Sequence, residues 1–373
     1  MARSRLRLER CGARWRQRLY VRVVDDGHTR GKAGYPIGTG ATRRVAGPIR
    51  TKESAAELGS PDLSGIAVLA EPPTIVDRGY RVRLRPITLE ELEEDVPIEW
   101  ESLATQRVRS KIAARIEIEH EAAQHVDWQR PLERATAVLS LFGVGPVTWS
   151  RTEIGTESFV ETAGAFPVVY RDSPPRMYAI KQGDAARLPG FWRVLSDAIP
   201  EHFYIGPQRP LVGLYGAFFN YLRVIESAEW PGRLVADVTR SLESLLLDGG
   251  PRDRIDATLQ KRTSLLLTAC GYDEDEVSQM VGIAYEVRSR VVHGANEFNA
   301  RLQRRVETKA GGLVALLNRC LEYNRAALVA VLAAGFDEDR LRRAFERAAE
   351  LQRLGRAFAK AEGRSGGRDG GGE

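Results

Sequence analysis

Tyr285-Glu286-Val287-Arg288-Ser289-Arg290-Val291-Val292-His293-Gly294 carries an arginine and a histidine with four residues between them, and it ends on a glycine. Val277, Met280, Val281, Ala284, Val287 and Val291 recur at helical spacing across and ahead of it, which predicts an amphipathic helix over 273–293. Its first turn is acidic, as the positive end of a helix dipole favours, and Gly294 suits the left-handed position just beyond a helix end. Arg288 is flanked by apolar positions, so its guanidinium is expected near a bundle surface or interface. His293 falls in the last turn, where the dipole favours an imidazolium and a nearby arginine opposes it.

Outward from this helix the C-terminal half is almost continuously helical in pattern. Further helices are predicted over 211–228, 234–247, 255–270, 298–334 and 338–361, with a break in 298–334 at Gly311-Gly312. Short Gly and Pro connections between such elements imply an antiparallel bundle. The N-terminal half reads differently. Strands are predicted over 66–69, 80–86, 112–120, 147–150, 166–170 and 177–180, and helices over 88–94, 130–142 and 191–198. Pro131 suits a first helical position. This mixture predicts a small α+β domain.

Charge is unevenly spread over the 373 residues: the net +5 hides a surplus of ten positive charges in residues 1–50, so the remainder is net negative. The basic run through Arg3, Arg5, Arg7, Arg10, Arg14, Arg16 and Arg18, followed by Gly, Ser and Pro, has the composition of a disordered extension over 1–64. No apolar run is long enough to span a membrane, so no membrane partner is expected. Cys11, Cys270 and Cys320 are few and far apart, which argues against a disulfide framework and for a reducing, cytoplasmic setting. His120 and His125 superficially suggest a metalloprotease helix. Five residues apart, they would lie about 140° from each other on a helix, so no metal or other cofactor is expected.

Arginine and histidine together suit one reaction class. Attack of a ribose 2′-hydroxyl on its own 3′-phosphate needs proton transfer and stabilisation of a doubly charged phosphorane. A guanidinium can grip phosphate oxygens while an imidazole moves protons, with no metal required. One histidine is short of an acid–base pair, but two chains about a two-fold axis would supply two.

Tyr285, Arg288, Ser289, His293 and Gly294, at this spacing, resemble the signature of HEPN domains, close to their Apea-like branch. Ser241-Leu242-Glu243-Ser244-Leu245-Leu246 resembles that family's Glu-bearing helix, and Lys261-Arg262-Thr263-Ser264-Leu265-Leu266 its following Arg-bearing helix. Less specifically, the segment from Leu139 to Gly145 resembles one found upstream of such domains. Within the family an Asn, Asp or His commonly follows the arginine, where Ser289 stands here.

The resemblance, covering about 210–335, implies a dimeric all-helical domain and metal-independent RNA cleavage. Arg288 would hold phosphate, His293 would transfer a proton, and Glu243 and Arg262 would be supporting polar residues. It further implies a role in phage defence or a toxin system, with an antitoxin or phage-derived trigger as partner. The expected architecture is an extension over 1–64 and an α+β domain over 65–208 that senses a trigger or selects substrate. An all-α, HEPN-like bundle over 209–361 and a Gly-rich disordered tail over 362–373 complete it. Two rival functions use the same sequence: a non-cleaving RNA- or nucleotide-binding module, and a scaffold whose bundle serves only to dimerise.

Overall fold

The fold was obtained as a computed structural model. It describes residues 14–24, 74–77, 80–86, 114–121, 129–144, 148–154, 157–159, 179–200, 203, 213–227, 229–247, 255–294 and 298–364. Side chains are described only in the helices and at their junctions. The ten helices are α1 Gln129–Phe142, α2 Gln182–Ala198, α3 Gly213–Glu226, α4 Pro231–Leu246, α5 Ile255–Ala269, α6 Glu274–Val292, α7 Ala300–Ala310, α8 Leu313–Ala334, α9 Glu338–Ala344 and α10 Ala348–Ala361.

Helix α8 is the axis of the structure. It is apolar nearly all round, as a helix must be when neighbours cover every side, and Leu316, Leu317, Leu321, Leu328 and Val329 are completely buried. Its start and stop are local. Gly311 (φ +74°) and Gly312 (φ +104°) separate it from α7, and Gly335 (φ +64°) ends it, each in a backbone region that side chains other than glycine rarely adopt. The 338–361 segment, predicted as one helix, divides into α9 and α10 around Phe345 and Arg347. Helix α10 approaches α5 very closely at Gly355, where a Cβ would stand 2.0 Å from the Ala269 carbonyl oxygen.

Some backbone of the N-terminal half runs as strand: β1 Arg14–Val24, β2 Thr74–Asp77, β3 Tyr80–Pro86, β4 Ala114–Glu121, β5 Thr148–Ile154, β6 Glu157–Phe159 and β7 Ala179–Lys181. Their order is β2-β3-β4-β1-β5-β6, with β7 parallel to β1. Thus part of the basic stretch expected to be disordered, Arg14–Val24, runs as strand. The predicted strands over 66–69 and 166–170 and the helix over 88–94 lie outside the described residues.

The expected division into an α+β domain followed by an all-α bundle is corrected by the packing. Wherever side chains are described, the regular structure is entirely helical and forms one core. Helices α1 and α2, assigned from sequence to the α+β half, belong to that core. Leu139 and Leu141 from α1 and Phe191 and Leu195 from α2 are fully buried in it with the residues of α8. The physical reason is that both helices carry a wide apolar face that must be covered, and the bundle covers it.

A buried charge network fastens this union. Arg325 of α8 is 5% exposed. Its Nε and Nη2 each donate to a Glu322 carboxylate oxygen at 2.8 Å, and its Nη1 donates to Glu362 and to the Leu141 carbonyl of α1, both at 2.8 Å. Glu362, just beyond α10, also pairs with Arg187 of α2, which holds Asp184 at 3.0 Å. The Tyr272 hydroxyl, in the α5–α6 turn, donates to Glu322 at 2.7 Å. Burial pushes the Glu322 carboxyl up, but Arg325 and Tyr272 outweigh it and hold it below the ordinary glutamate range.

Candidate functional site

Helix α6 has well-defined ends. The Asp273 side chain accepts the Glu276 backbone N–H at 2.7 Å, leaving Glu274, Asp275 and Glu276 in the first turn. This is an N-cap with a favourable charge distribution. At the other end the His293 N–H donates to the Ser289 carbonyl at 3.2 Å, and the Gly294 N–H donates to that of Val291 at 3.1 Å. Gly294 is left-handed (φ +77°).

Arg288 leaves this helix toward α4. Its Nη2 lies 2.7 Å from Glu243 Oε2, and the two side chains are 24% and 14% exposed. Its guanidinium carbon stands 5.7 Å from the centre of the Tyr285 ring, within cation–π range. Two polar atoms of the pair are buried without a hydrogen-bond partner, Arg288 Nε and Glu243 Oε1. Burial raises the Glu243 carboxyl above its ordinary value, while Arg288 and, more weakly, Arg240 oppose the rise. Burial and the Glu243 charge likewise push the Tyr285 hydroxyl up. Ser289, the next residue along the helix, is half-buried.

Helix α4 also carries a charged cluster that the sequence pattern did not single out. Six residues before Glu243, Arg223, Arg233 and Arg240 surround the nearly buried Asp237 carboxylate at 3.4, 3.4 and 3.7 Å. The spacing of Arg233, Asp237 and Arg240 is the signal that could have shown it, since residues three and four apart share a helix face.

His293 is not beside Arg288. It is exposed at the helix end, and a five-residue separation turns the two positions about 140° apart on an ideal helix. Arg262 is also elsewhere. Its Nη1 donates to the Leu246 carbonyl at the end of α4 at 2.5 Å, and its guanidinium lies over the Phe345 ring at 5.3 Å. Burial lowers its pKa and Arg342 pushes the same way. Those contacts make it a cap on α4 that ties α5 to the region after α9. One chain therefore brings together Arg288, Glu243 and Tyr285, and leaves His293 and Arg262 apart from them.

Chemically, the Arg288 end offers an anion a guanidinium with spare donors in a partly dry setting, and the His293 end offers an accessible imidazole. Among the described residues no group of three or more His, Cys, Asp or Glu is placed to hold a metal ion. His120 lies on β4 and His125 outside the described residues. Cys270 and Cys320 are buried, and burial pushes both thiols up to about 12. Among the described residues no helix is long and apolar enough to cross a membrane. Compared with protein-family models, curated proteins and solved structures, the chain matches none.

Proposed function

We propose that this chain is a metal-independent endoribonuclease of the HEPN type, acting as a homodimer in the cytoplasm in phage defence or as a toxin. Arg288 holds the scissile phosphate and His293 transfers the proton. The observation that carries the reading is the state of Arg288. It is anchored at Nη2 by Glu243, yet it keeps a buried Nε with no partner. A guanidinium held this way is pre-oriented, which is what stabilising a developing phosphorane charge asks of it. Because His293 points elsewhere on the same helix, the reading pairs Arg288 with His293 of the partner subunit across a two-fold axis. Each dimer then holds two such composite sites.

The test is incubation of the purified protein with total cellular RNA in EDTA, beside folded, dimeric His293→Ala. Fragments ending in 2′,3′-cyclic phosphate from the wild type alone are the expected result. Equal cutting by both proteins removes His293 from the chemistry. Intact RNA that is nevertheless bound replaces cleavage by a binding role.

A second reading has its own observation. The 2.7 Å ion pair between Arg288 and Glu243 joins α6 to α4 and serves equally well as an interhelical lock in a dimerisation scaffold. In that case Arg288→Ala lowers stability by leaving Glu243 buried and unpaired, and RNA is untouched by every variant.

A further inference from the structure

The exposed side of α7 continues the side of α6 on which His293 stands. On α6, Glu286, Arg290 and His293 follow one another at i, i+4 and i+7 and so share a face; all three are exposed. On α7, Leu302, Val306 and Ala310 turn inward, while Arg301, Arg304 and Arg305 fall within an arc of about 100° on the other side. The two faces are joined directly by Arg305 Nη1 on Glu286 Oε2 at 2.5 Å. Arg290, Arg301 and Arg304 are exposed, and none pairs with an acid among the described residues. The one acid on α7, Glu307, is engaged by the Gln303 amide at 3.2 Å. Arg290, Arg301, Arg304, Arg305 and His293 thus stand against two acids, Glu286 and Glu307, and Arg290, Arg301 and Arg304 present their donors to solvent.

We propose that Arg290, Arg301 and Arg304 form a phosphate-tracking surface that guides an RNA strand past His293. The choice of RNA as the polyanion rests on the ribonuclease reading above; the surface itself rests on the charge pattern. Such contacts hold the backbone and read no base, so they position the strand without selecting its sequence. Arg305 sits at the seam, where Glu286 fixes it and keeps α7 registered against the end of α6.

The experiment measures binding without cleavage. A fluorescent 2′-O-methyl oligonucleotide, which lacks the attacking hydroxyl, is titrated with the full chain between 50 and 200 mM salt. Wild type is compared with Arg301→Glu/Arg304→Glu and with Arg356→Glu/Lys360→Glu, a charge-matched control on exposed positions of α10. Arg301→Gln/Arg304→Gln supplies the milder change should the reversal disturb folding. The expected result is an affinity loss of about tenfold or more at 50 mM, with the slope of log K against log salt shallower by about 1.4, as two lost single-strand phosphate contacts predict. The control should bind as the wild type does. Equal losses in the two charge-reversed proteins, no loss in Arg301→Glu/Arg304→Glu, or binding of anionic lipid vesicles in preference to the oligonucleotide overturns the proposal. An inactive wild type with the expected binding pattern removes the ribonuclease reading and leaves the surface standing. Active wild type with unaltered binding by the α7 variants does the reverse.

Discussion

Arg325→Met should unfasten α1 and α2 from the rest of the core. Among the described residues, Arg325 alone touches Glu322, Glu362 and the Leu141 carbonyl together. Methionine fills similar volume and supplies none of those donors. Removing one partner from a buried pair typically costs about 3–5 kcal/mol, because the remaining charge is left without compensation. The lower end applies here. Glu362 keeps Arg187, and Glu322 keeps the Tyr272 hydroxyl and a side chain that is 36% exposed. A loss of about 3 kcal/mol lowers the melting temperature by roughly 6–12 °C for a unit of 150–250 residues.

The pH dependence separates this mechanism from simple mispacking. In the wild type the Glu322 carboxyl is held below its ordinary value. Its contribution is therefore present above the unfolded value near 4.3 and is lost as pH falls through the folded one. In the variant Glu322 loses its strongest opposing charge, so burial pushes its folded pKa up from the wild-type position, with Tyr272 and Arg364 still opposing the rise. The cost is then present at pH 7 and fades as pH falls toward about 4.3. Urea unfolding followed by circular dichroism at pH 7, 6 and 5 measures the difference. A deficit below about 1 kcal/mol at pH 7, or one of the same size at all three values, refutes the reasoning.

Glu243→Gln should also change the pH profile, with the opposite sign. Because the folded Glu243 pKa is raised, its stabilising contribution is present below the unfolded value and is lost as pH rises through the folded one. The variant should gain on the wild type between pH 4 and pH 7 in denaturant melts, and a gap that widens against it over that range would count against the assignment. Gly355→Ala should destabilise by about 2 kcal/mol or more, near the upper end for overpacking. Helix propensity alone would make the same change stabilising by about 1 kcal/mol, so a raised melting temperature denies the close approach to Ala269. In a Cys11→Ser background, Cys270 and Cys320 should react with a thiol reagent at pH 8 only on unfolding. Rapid labelling of the native protein would contradict their burial.

Features with a local cause were legible in the sequence. The ends of α6 were readable because Asp273, the three acids after it and Gly294 act within one turn of themselves. The break between α7 and α8 was readable because Gly311 and Gly312 take backbone conformations that other residues avoid. Features that depend on tertiary partners were not. The start of α2 was expected after Pro189, yet the helix runs from Gln182 through that proline. The buried face of Leu188, Phe191, Trp192 and Leu195 offsets the lost backbone hydrogen bond. Nothing in the periodicity of 129–142 and 182–198 says which other helices cover them, and an alternating pattern in nearby segments drew them into an imagined separate domain. Arg325 reads as half of an ordinary i, i+3 pair with Glu322 in α8, because its other partners lie 184 and 37 residues away.

The spacing of Arg288 and His293 is the most instructive case. The same five-residue interval that disqualifies His120 and His125 as a helical metal pair also separates Arg288 from His293. Read strictly, it says that the two cannot meet on one helix, and the structure turns one toward Glu243 and leaves the other in solvent. Under the proposed ribonuclease function the motif is completed between chains, so activity and assembly become one question. Mixing inactive Arg288→Ala with inactive His293→Ala asks it directly. In a composite arrangement the heterodimer regains one intact site, made of Arg288 from one variant and His293 from the other, while its second site carries both substitutions. Cleavage should return to about one quarter of wild type when equal amounts exchange at random, since half the dimers are mixed and each has one of two sites. If each chain builds its own site, both sites of the mixed dimer stay defective and no activity returns. A mixture that remains silent although exchange is demonstrated by mass rules out the two-chain site.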